Sequence, residues 1–136
     1  MARFTLDPRL EADSLPVAAL GLCDLRLMRD ARFPWLILVP RREGAAEIVD
    51  LGEADRAALL GEISAVSVAL KSITACDKLN VAALGNMVRQ LHVHVIARFT
   101  TDAAWPNPVW GSGKAVAYDA AERDRLIARL RSAIAT

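Results

Sequence analysis

The two histidines of this 136-residue chain stand two residues apart, His92 and His94, within Gln90-Leu91-His92-Val93-His94-Val95-Ile96. Two histidines scattered over such a chain would fall at that spacing roughly once in 70 placements, so the spacing is a signal worth following. Polar and apolar residues alternate around the pair, and in a β-strand alternate side chains point to opposite faces. The spacing therefore predicts Gln90, His92 and His94 on one face, with Leu91, Val93 and Val95 entering the core. Three kinds of chemistry fit. A neutral imidazole can attack phosphorus if one ring nitrogen is bare and the other is held by an acceptor. A neighbouring imidazole or amide can donate to phosphoryl oxygens, and an imidazolium can protonate a leaving oxygen. Two imidazoles can also chelate a metal, but zinc normally needs at least three protein ligands. With no third histidine, Cys23, Cys76 or a remote carboxylate would have to converge. A purely structural pair is the remaining alternative.

These residues need a scaffold, and the patterning supplies one. Leu22–Arg29 alternates well enough for a strand with one wet face, and residues 16–20 suggest a short helical turn. Trp35-Leu36-Ile37-Leu38-Val39 is an unbroken apolar run closed by Pro40, which predicts a strand buried on both faces. A helix is expected from Glu53 to Thr74, with Leu60, Ile63, Val66, Leu70 and Ile73 as its apolar stripe and Arg56, Glu62 and Lys71 opposite. A short strand over 79–84, a Gly85-Asn86 turn and a strand over 88–97 follow. Residues 100–113, with Trp105, Pro106, Asn107, Pro108 and Trp110, read as an ordered loop. Asp119 and Glu122 have capping-box spacing before a final helix built on Leu126, Ile127, Leu130 and Ile134. With no repeat or linker, residues 1–136 are expected to form one α+β domain on an antiparallel meander.

Composition narrows the function. Apolar residues make up 54% of the chain, enough for a core. The net charge of +1 is spread along the chain and gives no basic footprint for a nucleic-acid polymer. A small phosphorylated ligand needs only a few local donors and stays open. Arg89 and Arg98 read as solvated charges. Cys23 and Cys76 read as isolated, reduced thiols. Residues 1–15 lack the apolar region of a signal peptide, and no apolar run reaches the ~20 residues that cross a bilayer. A cytoplasmic protein without a membrane partner is expected.

Gln-Leu-His-Val-His-Val-Ile resembles the signature of the histidine triad (HIT) family, His-φ-His-φ-His-φ-φ, with Gln90 at the first position. Residues 33–40 resemble the family's buried strand, the long helix follows as in the family, and residues 80–86 resemble the segment before the triad. The likeness is nearest to bacterial HIT-like proteins described as diadenosine tetraphosphate hydrolase-like. It implies a fold with one long helix after the buried strand and a C-terminal helix. It also implies a nucleotide hydrolase or transferase in which His92 attacks the α-phosphate of a phosphoester, phosphoanhydride or phosphoramidate. A nucleotidyl-histidine forms and water releases it. His94 would contact phosphoryl and leaving-group oxygens. Gln90 would orient His92 through its main-chain carbonyl, and its amide could still donate to phosphate. Asn80 and Asn86 fall where phosphate contacts are expected. The ribose-binding acid would fall at Met28, with Asp24 and Asp30 nearby. Beside the resemblance, Trp105 and Trp110 flank Pro106-Asn107-Pro108 and read as anchors of a loop or dimer edge, or else one of them, with Trp105 the candidate, stacks near a base or lids the phosphate site. The resemblance further implies a homodimer, no resident cofactor and no metal, with a divalent ion arriving with the substrate left open. Departures are Gln90 itself and Met87, near a position where the family often carries Ser or Thr. Both favour an alternative, a non-catalytic nucleotide-binding module.

Overall fold

Every residue of the apolar run Trp35–Pro40 is buried, and the run forms the central strand, β3. The computed structural model describes residues 3–134. The sheet has five antiparallel strands in the order β1-β2-β3-β5-β4, where β1 is Ser14–Ala19, β2 Cys23–Met28, β4 Lys78–Ala82 and β5 Val93–Arg98. The first three strands form a meander. A 22-residue helix, α2 (Glu53–Thr74), then carries the chain to the far edge, and β5 folds back between β4 and β3. Helix α3, Ala120–Ile134, closes the fold. The α+β class, the long helix after the buried strand and the C-terminal helix are as the patterning predicts.

Side-chain alternation sorts the sheet into two faces. Leu36, Leu38, Val93 and Val95 point to one face and pack beneath Val66 and Leu70 of α2 and Leu130 of α3. The opposite face is covered by the N-terminal segment, which includes one short helix, and by the long loop. Phe33, Trp35 and Ile96 meet Ala104 and Val109 of the long loop. Ile37 and Val39 meet Leu10, with Phe4 and Leu6 packed alongside. His94 lies directly across from Ile37 in the ladder, so it stands where these two smaller clusters adjoin.

Several local expectations are corrected. Residues 16–20 are not a helical turn: they belong largely to edge strand β1, and the register shifts between Pro16 and Ala18. Proline lacks an N–H for the ladder, and an edge strand with a bulge is where it is tolerated. The helical turn lies earlier, in α1 (Pro8–Asp13), where the Asp7 carboxylate accepts the Arg9 N–H at 2.8 Å and proline occupies the first turn. On α2 the buried stripe contains Leu59, whereas Leu60 is 66% exposed. By length and mean hydropathy α2 would pass for a membrane-crossing helix. One face of it, with Leu59, Val66 and Leu70, packs into the core, and the Glu62 carboxylate accepts the Leu22 and Cys23 N–H groups at 2.7 and 2.9 Å. Strand β2 lacks a wet face along its whole length, because Arg26 is buried with its guanidinium on the Ser14 hydroxyl and carbonyl.

Candidate active site

Of the expected strand over 88–97, only the portion from Val93 pairs with neighbours. His94 is on β5, opposite Ala82 of β4 and Ile37 of β3. His92 is in the segment just before it, where Leu91 donates its N–H to the Ala45 carbonyl rather than to a strand. That segment is reached through Gly85, whose φ of 78° is a left-handed conformation that side chains other than glycine rarely adopt. The alternation holds through the change of structure. Leu91, Val93 and Val95 enter the helix-side core, and the two imidazoles meet on the other face, ring centroids 4.8 Å apart and inclined by 66°.

The two rings carry their protons on different nitrogens. His92 Nδ1 is 2.7 Å from the Gln90 main-chain carbonyl. A carbonyl only accepts, so this nitrogen holds a hydrogen and Nε2 of the neutral ring is left with its lone pair. His94 Nδ1 is 2.9 Å from Trp35 Nε1, and an indole nitrogen only donates. His94 therefore carries its hydrogen on Nε2. Burial, and then the adjacent His92, push the His94 pKa down to about 3, so the ring is neutral at physiological pH. Trp110 closes over it edge-on, 5.0 Å between centroids, and also meets Trp35 at 5.9 Å.

One cleft is lined by His92 itself, and a second cavity is lined by the two tryptophans that pack on His94 rather than by either histidine. His92, Gln90 and Leu91 line a cleft of about 270 Å³ with Ile48, Leu84 and Glu47. Trp35, Trp110, Met28 and Met87 line a cavity of about 460 Å³.

The remaining sequence candidates are distributed as follows. Gln90 does not turn its amide toward the cleft. Its Oε1 accepts the Asp7 N–H and its Nε2 donates to the Thr5 carbonyl, each at 2.8 Å, so the amide strings the N-terminal segment to the histidine loop. Arg9 adds a bond to the Met87 carbonyl at 2.9 Å. Asn80 is committed to Arg98, accepting from its Nη1 at 2.8 Å. Asn86 is exposed and lies outside the residues lining either cavity. Asp24 pairs with Arg41 at 2.9 Å. Asp30 lines the larger cavity, but its carboxylate is held by the Arg32 side chain and by the N–H groups of Arg32 and Val116. The two acids sit at opposite ends of β2, so they do not converge on one ribose position. Trp105 is placed away from the histidines, its ring 5.7 Å from the Arg98 guanidinium. Trp110, not Trp105, is the loop tryptophan at the imidazoles. Arg98 is no solvated charge: it is 2% exposed and paired to Asp102 at 2.7 Å.

In the sequence Trp35 reads only as part of a buried apolar run. The available signal was its polar handle at the start of a buried strand, since an indole N–H that is buried needs a partner. Among the described residues no three His, Cys, Asp or Glu side chains gather into a metal-binding group. Cys23 is buried beside Glu62, and burial, the bond to Glu62 and its charge push the thiol well above its ordinary range.

Comparison with known proteins gives a consistent picture. Residues 9–101 match the model of the HIT domain. A histidine triad protein from Bradyrhizobium japonicum is 53% identical, with 98% of this chain and 99% of that one covered and a TM-score of 0.97. One from Sinorhizobium meliloti is 51% identical over 95% and 96% of the two chains, with a TM-score of 0.93. One from Marinobacter aquaeolei is 44% identical over 98% and 97%, with a TM-score of 0.95. No curated protein matches the chain significantly.

Proposed function

Because the chain belongs to the HIT domain family, which includes nucleotide hydrolases and transferases as well as nucleotide-binding members, we propose that it cleaves a nucleotide at its α-phosphate through a nucleotidyl-histidine on His92. The observation that carries this reading is the 2.7 Å bond between His92 Nδ1 and the Gln90 carbonyl. It fixes the tautomer a nucleophile requires and leaves Nε2 as the attacking atom. Replacement of the first triad histidine by glutamine does not remove that support, because the acceptor is main chain.

In this mechanism the Nε2 lone pair of His92 attacks the α-phosphorus, and a P–N bond forms as the bond to the leaving group breaks, its electron pair going to the leaving atom. The positive charge that develops on the ring is stabilised through Nδ1–H and the Gln90 carbonyl. The His94 Nε2–H donates to a phosphoryl or leaving oxygen. Water then attacks phosphorus, the P–N pair returns to Nε2, the nucleoside monophosphate departs and the proton of water passes to solvent. The larger cavity, walled by Trp35, Trp110, Met28 and Met87, is of a size and apolar character that suit a nucleoside.

Incubation with diadenosine polyphosphates and adenosine phosphoramidates, quenched early and analysed by intact mass, tests the reading. A nucleotidyl adduct on His92 is expected, and His92→Ala should lose the adduct and at least about 10³-fold in turnover. Undiminished turnover by His92→Ala would overturn it. The alternative, nucleotide binding without chemistry, is favoured by one feature: the Gln90 amide is spent on Thr5 and Asp7, so it supplies no phosphate donor. Calorimetric affinity for a nucleotide with no adduct and no hydrolysis would select it.

A further inference from the structure

We infer from the Trp35–His94 bond that this site discriminates by leaving group, favouring phosphoanhydrides, whose leaving phosphate departs as an anion, over phosphoramidates, whose amine must gain a proton as it leaves. The inference rests on His92 being the nucleophile. A P–O bond to a phosphate leaving group breaks with its electron pair on an oxygen that is already stable as an anion, so hydrogen bonds to that oxygen suffice. A P–N bond breaks with its pair on nitrogen, and an amide anion is not a viable product in water. A proton must reach that nitrogen in the same step, and an acid must supply it.

The groups at this site are poorly placed to be that acid. His92 keeps its one hydrogen on the Gln90 carbonyl, and its other nitrogen becomes bonded to phosphorus. An acidic His94 would need a second proton on Nδ1, which Trp35 Nε1–H faces at 2.9 Å. Two N–H donors would then point at each other in a buried site, and the indole would lose its only partner. Trp35 is 8% exposed and His94 4%, so water is not at hand to replace that partner. Around the His94 ring stand Trp35 from β3, Trp110 from the long loop and His92 from its own segment, and of these only His92 carries an ionisable side chain. Glu47 lines the cleft with His92, its main-chain N–H on the Asp50 carboxylate at 2.8 Å and its own side chain exposed, and it is not among the groups packed on the His94 ring. His94 thus offers one neutral N–H to an oxygen. Trp35 is the positioning residue that restricts it to this task, although it touches no reacting atom.

The experiment measures kcat/KM for diadenosine tetraphosphate and for adenosine 5′-phosphoramidate in the wild type and in Trp35→Phe, which keeps an aromatic ring and removes the donor. The wild type should prefer the anhydride at least tenfold. Trp35→Phe should narrow that preference severalfold, with the change confined to the acid end of the pH profile, because burial and the adjacent His92 still oppose a charged His94 once the donor is gone. Comparing the ratio between the two proteins cancels differences in how the substrates bind. A wild type that prefers the phosphoramidate, or an unchanged ratio in Trp35→Phe, overturns the inference while leaving His92 as nucleophile. Nitrogen-15 spectra of the wild-type rings supply a readout independent of turnover. They should report His94 Nδ1 bare and Nε2 protonated, and a protonated Nδ1 near neutral pH overturns the inference even if the variant fails to fold. Turnover of neither compound, with no adduct on His92, would instead sink the enzymatic reading and the preference with it, leaving the tautomer set by Trp35 standing.

Discussion

Two chemically identical side chains, two residues apart, are given different jobs here by what each Nδ1 meets. A carbonyl acceptor makes His92 a bare-Nε2 ring, and an indole donor makes His94 an Nε2–H ring. The third polar residue of the row, Gln90, serves the pair in two ways. Its carbonyl fixes His92, and its side chain holds Thr5 and Asp7. Gln90→Ala should leave the carbonyl in place and remove both side-chain bonds. At about 0.5–1.5 kcal/mol for each net hydrogen bond, a loss of about 1–3 kcal/mol is expected in chemical denaturation. Hydrogen exchange should show the Asp7 amide opening in the variant. An Asp7 amide as protected as in the wild type would mean the clamp does not hold the segment. The row Gln90, His92 and His94 was legible in the sequence because parity along an extended chain is a local property. The direction of the Gln90 amide was not, since its partners lie 83 and 85 residues away.

At the scale of elements, a period is easier to read than a phase. The span of α2 matches its sequence pattern end to end, and the central strand is buried as an unbroken apolar run should be. Which leucine of Leu59-Leu60 faces the core depends on how the helix is rotated against a sheet the local sequence does not contain. The difference is measurable. Leu59→Ala removes a side chain 2% exposed and should cost about 2–5 kcal/mol, whereas Leu60→Ala, at 66% exposure, should stay within about 0.5 kcal/mol. Thermal or denaturant unfolding of the two variants checks it, and equal losses would mean α2 is rotated from this position. The same limit explains β5. Alternation runs back through Leu91 and His92, but β4 ends at Ala82 opposite His94, and pairing with β3 stops at Leu38 opposite Val93 although β3 itself continues to Pro40. His92 is left in a looser segment, free to be set by a carbonyl rather than by a ladder. Helix α1 had a usable signal, Asp7 followed by Pro8, a cap residue before a proline at the first helical position. Asp119 capping Glu122 at the start of α3 was read from the same grammar.

Across the whole molecule, helices cover one face of the sheet, while the N-terminal segment and the long loop cover the other, with the histidines between them. The long loop is anchored by charge. Arg98, at the end of β5, reaches Asp102, Asn80 and the Asn107 carbonyl, and the same loop carries Trp110 to His94. Asp102 accepts from Arg98 and, against the opposing effect of burial, from the N–H groups of Phe99, Ala104 and Trp105. Its carboxyl is held well below the ordinary range. Asp30 is also lowered, because its bonds to Arg32 and the Val116 N–H outweigh the burial that would raise it. Arg32 in turn bonds the Ser112 carbonyl, so both carboxylates pin the loop. A carboxyl with a folded pKa below its unfolded value binds fewer protons when folded. Its contribution is fully present above the unfolded pKa of about 4 and is lost as pH falls toward the folded value. Buried His94, held neutral well below the ordinary imidazole range, acts in the same direction, so stability should begin to decline below about pH 6.5 and fall further below about pH 4 as these carboxylates titrate. Asp102→Asn should flatten that further fall while lowering the neutral-pH plateau, because Arg98 is left buried without a countercharge. Tryptophan fluorescence should follow the same limb, since Trp110 sits on the loop these carboxylates hold. Acid unfolding as steep in Asp102→Asn as in the wild type, from an equal plateau, would remove this ion pair as the loop's anchor.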